Sequence, residues 1–376
     1  MRRAVLGLVL LELAACPAPG DVTPMIHVDP RAAQRLAWFG GPAPVEAPLV
    51  ATPARAHAMK DGEELGGPGA TGRPGDWLLE NAQVVFVIAG IRPAVGDAGA
   101  AGSDGNVIDA ADARLRQDEL GQVVATFGGS GPEVVYGSLR SAADADESAW
   151  IEVSGLRLGQ AALALTTRYT LHAPDRAMLL ETTLENTGDV PIVVAVLGDA
   201  VDWGVATTVA PGEARGFRGP SSGAYVGAVG AVASYALTSA EARIDAVSGR
   251  SWTQTAQQKN VVLAAHARTA YARILVVGAR ADTASLAGEL ALAAGQAVGE
   301  VKVTVPGSAP GTTLLLTPEG TGAPLTLVQP FAATLPEGRY WIAPLEGQHP
   351  VGPLDVKAGR TATATVESPG AAVLAP

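Results

Sequence analysis

The chain has 376 residues, 48% of them hydrophobic, 17% charged and 5% aromatic, and a formal net charge of −11. That length supports two domains with their own cores. The acidic balance and the lack of a basic patch exclude nucleic acid as a partner. The single cysteine, Cys16, excludes disulfides, thiolate chemistry and cysteine-built zinc sites in the mature domains.

Gly 45 and Pro 27 are high, Lys, Gln and Met are scarce, and Val and Thr are plentiful. This composition predicts an all-β protein of short strands and tight turns. The expected architecture is a large β-sandwich domain followed by a small prealbumin- or Ig-like sandwich, with one or two short helices.

Arg2 and Arg3 precede an apolar run over residues 4–11 that is too short to span a bilayer and reads as a targeting segment. Leu13-Ala14-Ala15-Cys16 resembles the bacterial lipobox, although Glu12 departs from a clean apolar segment. The resemblance implies a signal peptide over residues 1–15 and lipid on Cys16, so that the membrane is a partner through that lipid. Several acyl chains, at about 0.8 kcal/mol per buried CH₂, anchor stably where one would not. Pro17 stands where some inner-membrane lipoproteins carry Asp, which points to the outer membrane. Residues 16–53 read as a Pro/Ala-rich tether, with a short helix beginning after Asp29.

Residues 54–296 read as the larger domain. Gly67-Pro68-Gly69-Ala70-Thr71-Gly72 matches G-x-G-x-x-G, but no strand precedes it and no helix follows, so it is not a dinucleotide loop. Asp104, Asn106 and Asp109 lie in a Gly-rich stretch. Their residue types suit calcium, while their spacing does not fit an EF-hand. The simpler reading is Asx turns.

Two segments, Gly72-Arg73-Pro74-Gly75-Asp76-Trp77-Leu78-Leu79-Glu80-Asn81 and Gly105-Asn106-Val107-Ile108-Asp109-Ala110, flank a Val/Phe strand. The pattern resembles the N-terminal region of CehA/McbA-type bacterial metallohydrolases. That resemblance implies a β-supersandwich similar in fold to galactose mutarotase, running over roughly residues 66–367. Those hydrolases also carry a metal-dependent PHP domain with a His-x-His motif. The five histidines here, His27, His57, His172, His266 and His349, are unpaired in sequence. No catalytic residue, metal or cofactor is carried over.

Leu180, Thr182 and Leu184 alternate with Glu181, Thr183 and Glu185, the period of a half-buried strand. Asn186-Thr187-Gly188-Asp189 is turn chemistry. Residues 190–197 then read as a strand buried on both faces, so the pair is expected to form a hairpin-like unit at the domain centre. Asp199, Asp202 and Trp203 are the candidate ligand-binding residues: two carboxylates and an indole are what sugar recognition and sugar chemistry use. Positions i and i+3 on a straight strand face opposite ways, so both acids share a site only if the chain bends at Gly198 or Gly204. Gly219-Pro220-Ser221-Ser222-Gly223 matches G-x-S-x-G without the strand–turn–helix of a nucleophile elbow. Residues 224–237 read as one strand. Asp282 caps a helix with a stripe of Leu286, Leu290 and Ala293, ended by Gly295; it is expected to close the larger domain.

Residues 297–368 hold six expected strands between Pro/Gly turns. Leu335-Pro336-Glu337-Gly338-Arg339-Tyr340-Trp341 and Val356-Lys357-Ala358-Gly359 are similar to carboxypeptidase-regulatory-like sandwiches, modules that are structural or adhesive. Residues 369–376 form a tail. The function expected from these readings is a non-catalytic cell-envelope lipoprotein, a binding or scaffold module whose partner is a carbohydrate or an envelope protein. The alternatives are a sugar-active epimerase or lyase, or the accessory of a split metal-dependent hydrolase.

Overall fold

The computed structural model describes residues 53–92, 102–128, 133–239, 243–250, 252–320, 322–345 and 350–367. Cys16 and the tether lie outside the described residues.

The chain opens with β1 (Arg55–Ala58), β2 (Trp77–Glu80), β3 (Val84–Ile88), β4 (Val107–Asp112) and β5 (Gln122–Thr126). A meander follows: β6 (Val134–Ala143), β7 (Ala149–Arg157), β8 (Gln160–Leu171) and β9 (Ala177–Asn186). Next come β10 (Ile192–Asp202), β11 (Thr207–Val209), β12 (Gly219–Gly223), β13 (Tyr225–Val229) and β14 (Ser234–Ser239). The larger body ends with β15 (Ile244–Ser248), β16 (Trp252–Ala256), β17 (Gln258–Leu263) and β18 (Arg268–Val277). Helix α1 (Thr283–Ala293) leads to β19 (Val298–Thr304), β20 (Thr313–Pro318), β21 (Leu325–Val328) and β22 (Ala332–Pro336). The last strands are β23 (Gly338–Pro344), β24 (Val351–Val356) and β25 (Thr361–Thr365). The described residues are all-β apart from α1.

Two sheets build the larger sandwich. One runs β1-β2-β3-β4-β5-β10-β16-β15-β12, with β17 also paired to β10; the other runs β11-β13-β14-β18-β9-β8-β7-β6. Inward residues of both meet in one core, including Phe86, Val123 and Val201 from the first sheet and Ile151, Leu165, Tyr235 and Leu275 from the second. Alternation produces this directly: on β8, Leu163, Leu165, Thr167 and Tyr169 face in while Ala162, Ala164, Thr166 and Arg168 between them are half-exposed. Each large apolar side chain so buried contributes about 1.5–3 kcal/mol.

The expected hairpin around residues 180–197 does not form. β9 pairs with β8 and β18, whereas β10 pairs with β5, β16 and β17. The Asn186–Asp189 turn instead carries the chain from one sheet to the other. Asn186 is buried and donates to the carbonyls of Val190 (2.8 Å) and Ala264 (2.9 Å). The start of β10 is also not buried on both faces: Ile192 and Val194 are inside, while Val190 and Val193 are 68% and 63% exposed. The span expected as one strand over residues 224–237 is the β13–β14 pair. Its connection is held by Glu119, whose carboxylate accepts the backbone N–H groups of Ala231 (2.8 Å), Val232 (3.0 Å) and Ala233 (3.1 Å).

The smaller sandwich packs sheet β22-β19-β25 against sheet β21-β20-β23-β24. Its core includes Val301, Leu314, Leu316, Leu335, Tyr340 and Ile342. Strand β22 joins those expected from sequence. α1 lies between the sandwiches: Leu286 and Ala293 pack with Leu179, Ile274 and Val276 of the larger one, and Ala284 packs into the smaller core. Asp282 caps the helix by accepting from Ser285 N at 2.7 Å, and its other oxygen accepts Val328 N at 3.2 Å.

Candidate functional site

β10 runs unbroken through Asp199 and Asp202, so the two acids point to opposite faces. Gly198 does not bend the strand. A Cβ there would collide with the Thr255 carbonyl on β16, so glycine is needed for close strand pairing.

Asp199 faces the interior and is fully buried, as is its partner Arg273 on β18. Arg273 Nε donates to both carboxylate oxygens (3.0 and 2.9 Å) and Nη2 donates to Oδ1 (2.7 Å). Arg273 Nη1 donates to Thr182 Oγ1 at 2.7 Å and to the Leu180 carbonyl at 3.3 Å. The guanidinium carbon lies 4.3 Å from the centre of the Tyr271 ring. Burial opposes the Arg273 charge, and the adjoining Asp199 carboxylate more than offsets this. Burial also pushes the Tyr136, Tyr169 and Tyr271 hydroxyls up, keeping them neutral. Tyr169 donates to Gly105 O (2.8 Å) and Tyr271 to Gly198 O (3.0 Å). The network is closed on itself and ties one sheet to the other.

Trp203 also faces the core. It is 2% exposed, and its Nε1 donates to Thr253 Oγ1 at 2.9 Å. Its ring offers no open face for a sugar to stack on.

Asp202 is half-buried on the opposite face. Its directly facing cross-strand partners are Gln122 on β5 and Trp252 on β16, both half-buried. Facing side chains on adjacent strands stand about 4.5–5.5 Å apart at Cβ. An amide, a carboxylate and an indole therefore form one row across three strands. Asp202 Oδ1 accepts Gly204 N at 2.9 Å, which fixes the turn after β10. Gly204 needs its left-handed φ of 60° and its missing Cβ, because the Glu119 carbonyl closes on it. Gln122 Nε2 is buried within this row and has no hydrogen-bond partner among the described residues. Gln122 and Trp252 were not legible as site residues. They lie far from Asp202 along the chain, and only strand register brings the three together.

The calcium candidates are spoken for by the protein itself. Asp104 accepts Arg92 N at 3.0 Å, and Asn106 Nδ2 donates to the Gly102 and Asp104 carbonyls (3.2 and 3.3 Å). Asp109 accepts Thr71 N (2.8 Å), Thr71 Oγ1 (3.1 Å) and Gly72 N (2.8 Å). Among the described residues no group of three or more His, Cys, Asp or Glu is arranged to hold a metal. The Gly67–Gly72 loop, whose N–H groups would face phosphate in a dinucleotide fold, instead packs on Asp109 and Asp118. A Cβ at Gly67 or Gly69 would collide with the Asp118–Leu120 backbone. Asp118 Oδ1 accepts Ala110 N (2.9 Å), Leu120 N (3.1 Å) and the Tyr235 hydroxyl (3.3 Å). Desolvation pushes the Asp118 carboxyl up to about 8 and that of Asp109 up to about 6.

No family model and no curated protein sequence matches this chain. Among solved structures it is similar to a TPR-domain containing protein from Parabacteroides distasonis (10% identity, TM-score 0.41, 61% of this chain and 56% of that one). It is also similar to the galactosidase domain of the alpha-galactosidase-sucrose kinase AgaSK (12%, TM-score 0.39, 57% and 42%). A galactose mutarotase-like protein from Lactobacillus casei matches at 11% identity and TM-score 0.36, over 54% of this chain and all of that one. The chain thus spans about half the length of the first two. At these values the likenesses carry no functional argument, and the β-sandwich is read from the two facing sheets themselves.

Proposed function

We propose that this chain is a non-catalytic cell-envelope lipoprotein whose larger sandwich is a carbohydrate-binding module. The observation that carries the reading is the Gln122–Asp202–Trp252 row. It sets a carboxylate acceptor beside an aromatic face, two of the contacts that a sugar ring with its hydroxyls and apolar C–H face uses. Binding is favoured over turnover because the two-carboxylate mechanism needs both acids flanking one bond. Here Asp199 is neutralised in the interior and Asp202 stands on the other face. The lipobox-like segment ending at Cys16 supports lipid anchoring, and Pro17 after it supports the outer membrane. The Arg-Pro-Gly-Asp and Gly-Asn-Val-Ile-Asp segments support kinship with the non-catalytic part of CehA/McbA-type proteins. The Leu335–Trp341 segment supports a carboxypeptidase-regulatory-like second module.

The test is a thermal-shift screen of the soluble form lacking residues 1–20 against sugars and glycan fragments. A ligand at 100 times its Kd adds about 2.7 kcal/mol, several degrees for domains of this size. The reading expects a shift with one sugar class that disappears in Trp252→Ala. A shift that survives in Trp252→Ala places binding elsewhere, and no shift with any glycan rejects the reading.

A further inference from the structure

At the far edge of the larger sheet from Trp252, the β2–β3 turn, the start of β1 and the segment after β4 enclose a cleft of about 350 Å³. Arg55, Arg114, Arg116 and Glu80 line it, together with the small residues Ala82 and Ala113. Three guanidiniums against one carboxylate leave a local surplus of two positive charges, on a chain whose net charge is −11. Exposed guanidiniums gathered in a concave site attract anions from solution.

The walls are built rigidly. Asn81 Oδ1 accepts Gln83 N (2.7 Å) and Val84 N (3.0 Å), and its Nδ2 donates to the His172 and Asp175 carbonyls (both 2.8 Å). Asp112 Oδ1 accepts Arg114 N and Leu115 N (both 3.0 Å), while its Oδ2 accepts Arg176 Nη2 at 2.8 Å. That turn leaves Arg116 at φ 50°, a left-handed conformation that a residue with a Cβ adopts only when its surroundings impose it.

Glu80 is the floor. Its side chain is 7% exposed and accepts Arg55 Nε at 2.8 Å and Nη2 at 2.6 Å, with Arg116 Nη1 at 3.5 Å from the second oxygen. Arg116 Nη2 also donates to the Glu63 carbonyl at 2.6 Å. Both guanidiniums are thus oriented, yet Arg55 remains 68% and Arg116 36% exposed. Arg114 is exposed, and among the described residues its side chain has no hydrogen bond or ion pair.

We propose that this cleft binds a dianionic phosphate group. Planar guanidinium forks match phosphate oxygens in pairs, and a surplus of two charges matches a dianion, where a single carboxylate would leave one cation uncompensated. The cleft has room for the phosphate and a small organic group attached to it. The source is either free inorganic phosphate or a phosphate monoester.

Isothermal titration of the full chain with inorganic phosphate, glycerol phosphate and glycerol tests this. The proposal expects saturable binding of a phosphate compound that weakens as salt rises. It expects Arg114→Ala to weaken that binding about tenfold, with Arg114→Lys intermediate. Because Arg114 supports nothing else among the described residues, Arg114→Ala should melt like wild type. Tighter binding of glycerol phosphate than of phosphate identifies a monoester as the ligand, and equal binding identifies free phosphate. Lack of saturation by either up to about 10 mM, equal affinity in Arg114→Ala, or equal binding of plain glycerol overturns the proposal. None of these outcomes bears on the glycan site at Trp252, which lies on other strands.

Discussion

Asp199 on β10 and Arg273 on β18 join the two sheets of the larger sandwich through three hydrogen bonds of 2.7–3.0 Å in a fully buried pair. Removing one partner leaves an uncompensated charge in a site without water access, which costs about 3–5 kcal/mol. Asp199→Ala should therefore destabilise strongly in urea denaturation. The double variant Asp199→Leu with Arg273→Met should recover most of the loss, since a well-packed apolar pair can replace a buried ion pair. A double variant as unstable as the single one would show that the pair does more than offset its own charges.

The two tryptophans near the end of β10 should behave oppositely. Trp203 is 2% exposed in the core, so Trp203→Ala should cost about 3–5 kcal/mol through the cavity it leaves. Trp252 is half-buried, so Trp252→Ala should cost about 1 kcal/mol or less while abolishing glycan binding. Chemical denaturation of both variants checks the ordering.

The buried acids beneath the glycine loop set a pH dependence. The Asp118 carboxyl is raised from 3.8 to about 8 and that of Asp109 to about 6, in both cases chiefly by desolvation. The folded state then binds more protons than the unfolded state between about pH 4 and pH 8, so stability falls as pH rises through that window. Asp175 and Glu289, each pushed by burial to about 7, act in the same direction. Asp118→Asn should flatten the slope by up to about 1.4 kcal/mol per pH unit. Melting temperatures from pH 4.5 to 8.5 test this, and a wild-type protein that gains stability towards pH 8 would contradict it.

Helix α1 couples the two sandwiches. A Cβ at Gly288 would collide with the Thr334 carbonyl on β22, so Gly288→Ala should push the helix off the smaller sandwich and cost about 1–3 kcal/mol. Asp282→Ala removes the cap and the bond to Val328 N, with a loss of about 1–2 kcal/mol. Calorimetry should show the smaller sandwich melting earlier in both variants.

The strands were legible where apolar residues alternate, as in β8 and β9, and α1 was legible from Asp282 and its stripe. Pairing was not. The Asn186–Asp189 turn reads as a hairpin turn, yet it crosses between sheets, because the cross-strand partners that decide this lie far along the chain. β22 was hidden because Ala332-Ala333-Thr334-Leu335-Pro336 carries only one large apolar residue and ends in proline. At the candidate site, the opposite facing of Asp199 and Asp202 followed from strand period alone. The burial of Trp203 and the arrival of Trp252 beside Asp202 depended on register, which no local pattern records.

The central claim is ligand contact at the Gln122–Asp202–Trp252 row, and NMR of the indole N–H groups tests it most directly. The chain has six tryptophans, and Trp252→Phe assigns the relevant signal. Titration with the sugar class found in the thermal screen should move the Trp252 signal and leave that of Trp203, bonded to Thr253, in place. A Trp203 signal that moves while Trp252 stays fixed, or no movement of either under saturating sugar, would contradict the account.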